Sequence, residues 1–427
     1  MEKELKPILI ITYYWPPSGG AGVQRWLKFS KYLPENGWRP IIFTPENPDF
    51  DLQDESLLKD VHTEVDVLKF PIWEPYRIFK KLSGQKEIKQ GQILEEAKGS
   101  WLKGLSVWVR GNLFVPDPRI FWVRPSTKYL MDIIESNRIQ HVITTGPPHS
   151  LHLIGRNLKL KLPSITWLAD FRDPWTEWEI LHAMRITGPI WNTHRKLERQ
   201  VLQVADAILA TSQSAAESFK SLGARKTCVI TNGFDESDLF EKGPILKNVF
   251  RISHIGMLSS SRNPVNLWKA LEQILKQKGK EKIELKLTGI ISVEVLSSLR
   301  KYELLSSILK TESSVPHDTV GELYAESDLL LLVQTQTDGR QTQLPGKLFE
   351  YLHAKKPILC IGDVNSDLAQ ILKETNAGEC FGYNDLEGIS SFLQRSLSGE
   401  LKLTFEGIEK FSRRNLTARL SDYLLKF

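Results

Sequence analysis

Two α/β domains, each built on a parallel sheet covered by helices, are what this sequence predicts, and three observations predict them. The 427-residue length suits two domains of about 200 residues each better than one. Short apolar runs of β type alternate with helix-spaced segments almost from end to end, as in strands buried on both faces and joined by helical crossovers. The alternation stops near Gly243 and Pro244 and then starts again.

In the first half, residues 7–13 read as a strand. Residues 22–35 carry Val23, Trp26, Leu27 and Leu33 near helical spacing, and 38–44 is a second strand. Further strands are expected at 141–145, 164–169, 207–211 and 228–231, with helices starting at Ser150 and spanning 214–222. In the second half the expected strands are 250–258, 283–288, 328–333 and 357–361, and the helices 264–276, 318–325 and 346–354. A last helix is expected over 403–425. The domains are therefore residues 1–240, with an insertion at 45–125 that does not fit the alternation, then 249–402, then the terminal segment 403–427. The linker falls within 240–248.

Composition narrows the function classes. Charged residues at 25% and hydrophobic residues at 41% are ordinary globular values, which excludes wholesale disorder. The formal net charge of +5 suits a phosphate-bearing ligand or an anionic membrane, and equally a solvated face. No Lys/Arg run is dense enough for a nucleic-acid partner. Cys228, Cys360 and Cys380 are widely spaced without metal-ligand spacing, and read as reduced thiols. The N-terminus lacks the basic start and cleavage site of a signal peptide, and no apolar stretch is long enough to span a bilayer. A cytoplasmic protein is the expectation. The insertion holds Trp73, Trp101, Trp108 and Trp122 interleaved with Lys103, Arg110, Arg119 and Arg124. It is either a packed surface layer or a face for an acceptor or for lipid headgroups.

Ligands of open α/β sheets bind beyond the carboxyl ends of the strands, so the strand tips carry the chemistry. The first strand ends in Ser18-Gly19-Gly20-Ala21-Gly22. Glycines ahead of a helix let backbone N–H groups reach a phosphate; a tight turn without a ligand accounts for them as well. The 141–145 strand ends in Gly146-Pro147-Pro148-His149-Ser150, with Ser150 as the expected N-cap. Two prolines hold His149 at the tip, an address that favours a functional role over a structural one. His149 and His152 lack a third ligand, which argues against a metal. The 164–169 strand runs into Asp170-Phe171-Arg172-Asp173, where the charged groups either orient sugar hydroxyls or pair with one another. In the second half, Arg262 in Ser259-Ser260-Ser261-Arg262-Asn263-Pro264 is placed to clamp a diphosphate, against the plainer reading of an exposed arginine. The segment Gln341-Thr342-Gln343-Leu344-Pro345-Gly346-Lys347-Leu348-Phe349-Glu350 gives the strongest signal. Gly339 is too far from Gly346 for an ATP-binding P-loop, and Leu348 replaces its hydroxyl residue. What remains is a helix N-terminus presenting Gly346 and Lys347 to an anion, with Glu350 one turn on, where a carboxylate can hold a ribose.

Together these segments resemble the retaining glycosyltransferases of the GT-B type, family 4-like, which include bacterial capsule, O-antigen and lipid-sugar transferases. The pieces that carry the resemblance are residues 13–22, 145–152, 170–175, 232–235, 256–264 and 344–362, and the closing 411–417. The resemblance implies two Rossmann-like domains facing a cleft, with the last helix returning to the N-terminal domain. It implies hexosyl transfer from a nucleotide-diphosphate sugar to a glycan or lipid-linked acceptor, with retention and without a metal or other cofactor. Gly19 and Gly20 would lie against the donor diphosphate and His149 would support the transferring sugar. Arg262, Gly346 and Lys347 would neutralise the phosphates, and Glu350 matches the second glutamate of the family's Glu-seven-residues-Glu motif, which holds the ribose. Thr342 stands in place of the first glutamate, toward the donor sugar or acceptor with Asp170 and Arg172, and Met257 in place of a usual arginine. Two rivals share the fold: a nucleotide-sugar epimerase, which would form an epimer from donor alone, and a non-catalytic partner subunit, which would bind without turnover.

Overall fold

The computed structural model describes residues 5–50, 52–74, 108–178, 181–182, 184–238, 249–278, 282–315, 319–336 and 343–427. The chain forms two compact units, one of Met1–Thr231 with Arg413–Phe427, the other of Asn232–Ser412. Both are Rossmann-like parallel sheets covered by helices. The linker expected at 240–248 lies outside the described residues.

In the first unit the strands are β1 (Lys6–Ile11), β2 (Trp38–Pro45), β3 (Asp66–Phe70), β4 (His141–Gly146), β5 (Thr166–Phe171), β6 (Ala207–Ala210) and β7 (Thr227–Val229), in the order β3-β2-β1-β4-β5-β6-β7. Every pairing is parallel. β1 shows why its sequence reads as one apolar run: side chains alternate across a strand, and both faces of this one are covered. Leu9 and Ile11 enter one core with Trp122, Leu130 and Leu151, while Ile8 and Ile10 enter the opposite core with Trp26, Leu27 and Leu420. The helices α1 (Ala21–Tyr32), α2 (Ile120–Ser136), α3 (Ser150–Lys161), α4 (Gly188–Val204) and α5 (Gln213–Ser221) supply those layers.

The second unit has β8 (Phe250–Ile255), β9 (Ile283–Thr288), β10 (Leu309–Glu312), β11 (Leu329–Val333), β12 (Ile358–Ile361) and β13 (Gly378–Phe381), in the order β10-β9-β8-β11-β12-β13. Its sheet too is parallel throughout. Helices α6 (Val265–Lys278), α7 (Val293–Leu299), α8 (Glu303–Ile308), α9 (Val320–Ala325), α10 (Gly346–Ala354), α11 (Asp367–Thr375) and α12 (Leu386–Ser398) surround it. Again the central strand is shared between cores, Leu329 and Leu331 with one and Leu330 and Leu332 with the other.

The terminal helix α13 (Arg413–Leu424) belongs to the first unit, as the resemblance implied. Leu416, Leu420 and Leu424 join the core beneath α1, and the Trp38 indole donates to Ser421 Oγ at 2.8 Å. It starts ten residues later than expected, because residues 403–412 stay with the second unit, where Ile408 and Phe411 pack against Phe349. The region 45–125 is only in part an insertion. β3 extends the sheet from β2, and α2 begins within it. No described helix is long and apolar enough to cross a membrane.

In each sheet the strand order reverses at one point, between β1 and β4 and between β8 and β11. Loops leave in opposite directions there and open a crevice at the strand ends. Gly19, Gly20 and His149 follow β1 and β4, and Arg262, Gly346 and Lys347 follow β8 and β11.

Candidate functional site

In the first unit, the loop after β1 reaches α1 through Gly19 and Gly20. Gly20 is the N-cap of α1 with φ of 82°, a left-handed backbone that glycine adopts without strain. As a glycine it brings no side chain to cap the first N–H groups of the helix. Gly19 donates its N–H to Leu52 O at 2.9 Å, and a methyl there would lie 2.9 Å from the Leu52 side chain.

The loop after β4 presents His149, 5% exposed. His149 is itself the N-cap residue of α3, and Ser150, expected in that place, is its first residue. Asp117 caps the helix instead, accepting from Ser150 N and from Ser150 Oγ, both at 2.8 Å. The His149 ring stacks on Trp175 at 5.0 Å and 3° and lies 5.8 Å from Phe171. Among the described residues neither ring nitrogen makes a well-formed hydrogen bond, the Pro174 backbone being only a weak influence on the ring. Burial, then His152 and Arg172, hold its pKa well below the usual histidine value, so the imidazole is neutral. A neutral ring whose nitrogens make no well-formed hydrogen bond, buried at a strand tip, is suited to accept or donate one hydrogen bond to a ligand.

Arg172 and Asp170 do not pair with each other. Arg172 Nη1 donates to Gly22 O at 2.5 Å, Nη2 to Pro147 O, and Nε to Gly146 O at 3.4 Å. The guanidinium thus braces the first turn of α1, where the β1 loop ends, against the β4 loop. Asp170 is fully buried and salt-bridged to Arg25 at 2.8 Å. It also accepts from the Trp26 indole at 2.7 Å and from Thr145 Oγ1 at 2.9 Å. Its oxygens are taken up inside the unit, in a structural role, rather than presented to sugar hydroxyls.

The second unit gathers cations. β8 ends at Gly256 (φ 122°) and β9 at Gly289 (φ 127°). A methyl on Gly289 would fall 2.4 Å from Gly256 O, and one on Gly256 would fall 1.7 Å from the Lys347 ammonium. Only two glycines allow the strand ends to approach this closely and the lysine to lie across them. Arg262, in the 3-10 turn Ser260–Arg262, donates Nε to Thr335 Oγ1 at 3.1 Å, from just past the end of β11. The Lys347 ammonium has no hydrogen-bond or ion-pair partner among the described residues. Its pKa is lowered to about 8, by burial first and by Arg262 as well, with Glu350 opposing. Beneath it His254 is buried and neutral, lowered to about 4 by burial and then by the Lys347 charge. α10 starts here at Gly346, with Pro345 as N-cap and no side-chain cap. Two like-charged groups and a helix N-terminus converge on one place, an arrangement that favours a bound anion. Glu350, one turn along α10, is half-buried and accepts a hydrogen bond from Tyr324 Oη.

Thr342 lies outside the described residues. Sequence reasoning missed Arg25, Asp117 and Tyr324, whose partners are 145, 33 and 26 residues away. It also missed Trp175 as the platform under His149. Among the described residues no three His, Cys, Asp or Glu side chains converge as metal ligands.

No protein-family model and no curated protein sequence matches this chain. Solved structures do. Sucrose-phosphate synthase from Thermosynechococcus elongatus matches over 99% of this chain and 98% of its own, with a TM-score of 0.65 at 12% identity. Anabaena HepE in complex with UDP-glucose matches over 99% and 100%, with a TM-score of 0.61 at 13% identity. An α,α-trehalose-phosphate synthase from Burkholderia xenovorans, in complex with glucose-6-phosphate, matches over 99% and 99%, with a TM-score of 0.60 at 12% identity. At these identities the likeness is one of fold, and the fold is that of GT-B glycosyltransferases.

Proposed function

We propose that this chain is a retaining glycosyltransferase that moves a hexose from a nucleotide-diphosphate sugar to a glycan or lipid-linked acceptor. The observation that carries the reading is the Lys347 ammonium, without a hydrogen-bond or ion-pair partner among the described residues, beside Arg262 at the N-terminus of α10. Departure of a nucleoside diphosphate from an anomeric carbon needs its growing negative charge stabilised, and preorganised cations with a helix N-terminus do this without a metal. Glu350 holds the ribose. In the first unit, Gly19 and Gly20 serve the diphosphate and His149 the transferring sugar, with Arg172 bracing the first turn of α1 against the β4 loop. We infer that retention comes from attack on the face the diphosphate leaves, with a donor phosphate oxygen taking the acceptor's proton. The cytoplasm is the proposed location.

The UDP-glucose complex of the Anabaena protein makes UDP and UDP-glucose the first ligands to test. Calorimetry in EDTA is expected to show binding of at least one of UDP, GDP and ADP, and donor without acceptor is expected to hydrolyse slowly. Glu350→Ala should weaken nucleotide binding by about 1.5–3 kcal/mol, the usual range for hydrogen bonds to a charged group. His149→Ala should leave nucleotide binding nearly unchanged while lowering turnover. Absence of binding to all three nucleotides, a requirement for magnesium or manganese, or formation of an epimer would overturn the reading.

A peripheral contact with an anionic membrane fits an acceptor carried on lipid. Trp73, Leu113 and Phe121 are about half exposed or more, and Trp108 is 38% exposed. Trp73 and Phe121 pack edge to face at 4.8 Å. Arg110 and Arg124 lie within the same segment; Trp101 and Lys103 lie outside the described residues. Aromatic and basic side chains on one surface suit the headgroup region. Sedimentation with phosphatidylserine vesicles is expected to carry the protein down at low salt and less at high salt, and replacing Trp101, Lys103, Trp108 and Arg110 by alanine should weaken it. Equal recovery in the supernatant with and without vesicles at low salt would remove the membrane from the proposal.

A further inference from the structure

Tyr324 is 2% exposed on the short helix α9, and its ring packs edge to face against Tyr351 at 5.3 Å. Tyr351 is the neighbour of Glu350 in α10. From that fixed position the Tyr324 hydroxyl donates to Glu350 Oε2 at 2.5 Å. Burial, then the Glu350 charge, holds the phenol pKa well above its ordinary value, so the proton stays on the tyrosine and the carboxylate is the acceptor.

The terminal torsion of a glutamate is otherwise broad. A hydrogen bond to one carboxylate oxygen from a buried, packed donor fixes the plane of the group. It occupies one lone-pair site of Oε2, and each carboxylate oxygen has two, so it orients the carboxylate without using up either oxygen. A carboxylate of fixed plane recognises two neighbouring hydroxyls on one face of a ring better than a single hydroxyl, because both bonds need the same orientation.

We propose that Tyr324 is a positioning residue that fixes the Glu350 carboxylate for the cis-diol of a ribose, and thereby sets a preference for ribonucleotides over deoxyribonucleotides. This rests on the reading of Glu350 as the ribose-holding residue.

Calorimetry with UDP and 2′-deoxy-UDP separates the two. The wild type is expected to prefer UDP by about tenfold or more, since one charge-assisted hydrogen bond is worth roughly that ratio. Tyr324→Phe keeps the ring and its packing, and should cut the preference to below about threefold while changing affinity for 2′-deoxy-UDP little. Tyr324→Met, which lacks the donor and fills similar space, should do the same. In turnover the loss should appear in KM rather than kcat. If both variants fold and keep the wild-type preference, or weaken both nucleotides equally, Tyr324 is merely structural and the proposal falls. If the wild type itself binds UDP and 2′-deoxy-UDP alike, or Glu350→Ala keeps a preference, the ribose role of Glu350 falls first and takes this inference with it.

Discussion

Replacing Lys347 by alanine is expected to lower transfer by about 10²–10³-fold, the loss seen when one preorganised charge-stabilising group is removed from a water-poor site. The ammonium lies across Gly256 with Glu350 and Arg262 as electrostatic neighbours, and no described side chain hydrogen-bonds or ion-pairs with it. The charge can therefore serve a bound anion, and the attraction strengthens as the anion's charge grows. The lowered pKa adds a signature. With its proton lost near pH 8 in the free protein, nucleoside diphosphate affinity should be level below pH 8 and fall above it, by up to about tenfold per pH unit. For folding the sign is opposite. The unfolded chain binds more protons between about pH 8 and the ordinary lysine value of 10.5, so stability rises with pH across that window. Lys347→Arg keeps its charge and should flatten the affinity profile. Steady-state kinetics and calorimetry across pH 6.5–10 (about the range needed to span the folded-state pKa) check both effects. An alanine variant within about threefold of wild type in kcat/KM would remove Lys347 from the reaction.

The second large effect is one of stability. Asp170→Ala is expected to destabilise the first unit by about 3–5 kcal/mol, because it leaves the Arg25 guanidinium buried without its counter-charge. Arg25 is 1% exposed, and besides Asp170 it donates to Ile230 O and Thr231 O, at 2.8 Å each. Trp26 and Thr145 lose an acceptor in the same substitution. Urea unfolding followed by tryptophan fluorescence suits the measurement, since of the 12 tryptophans only Trp268 lies in the second unit. A change below about 1 kcal/mol would mean that the cavity takes in water or that Arg25 finds another anion.

The strands legible in the sequence and those that were not differ in position. Residues 283–288 and the helix at 346–354 were found to the residue, the first because Ile283, Leu285 and Leu287 alternate with polar residues at strand period, the second because Pro345-Gly346 marks its start. The three strands that were missed, β3, β10 and β13, all lie at sheet edges. Their residues are only partly covered, as in Asp66-Val67-Leu68-Lys69-Phe70, so neither a buried run nor a clean alternation marks them. The site follows a similar rule. Arg262, Lys347 and Glu350 are legible because strand tips and helix starts are local features. The Arg25–Asp170 pair and the Tyr324–Glu350 bond are created by the fold, and no local pattern announces a partner 145 or 26 residues distant. Arg172 lies between: its place at a strand tip was legible, and its use as a brace between the first turn of α1 and the β4 loop was not.

Because α13 completes the first unit while residues 232–412 form the second, the order in which the ribosome delivers the chain is not the order in which it can be closed. The first unit's sheet is synthesised early, yet the layer over α1 lacks Leu416, Leu420 and Leu424, and the bond from Trp38 to Ser421 spans 383 residues. Until that helix emerges, Val23, Trp26 and Leu27 lack part of their cover. The second unit meets no such delay, because all of its strands precede α13. The later-made half can therefore reach its native form first, shortening the flexible loop that the first half must close. Loop-closure entropy grows only slowly with length, but a folded segment within the loop reduces it further. In the interval the exposed apolar face of α1 is the surface most open to chaperone capture or to misassociation with another nascent copy.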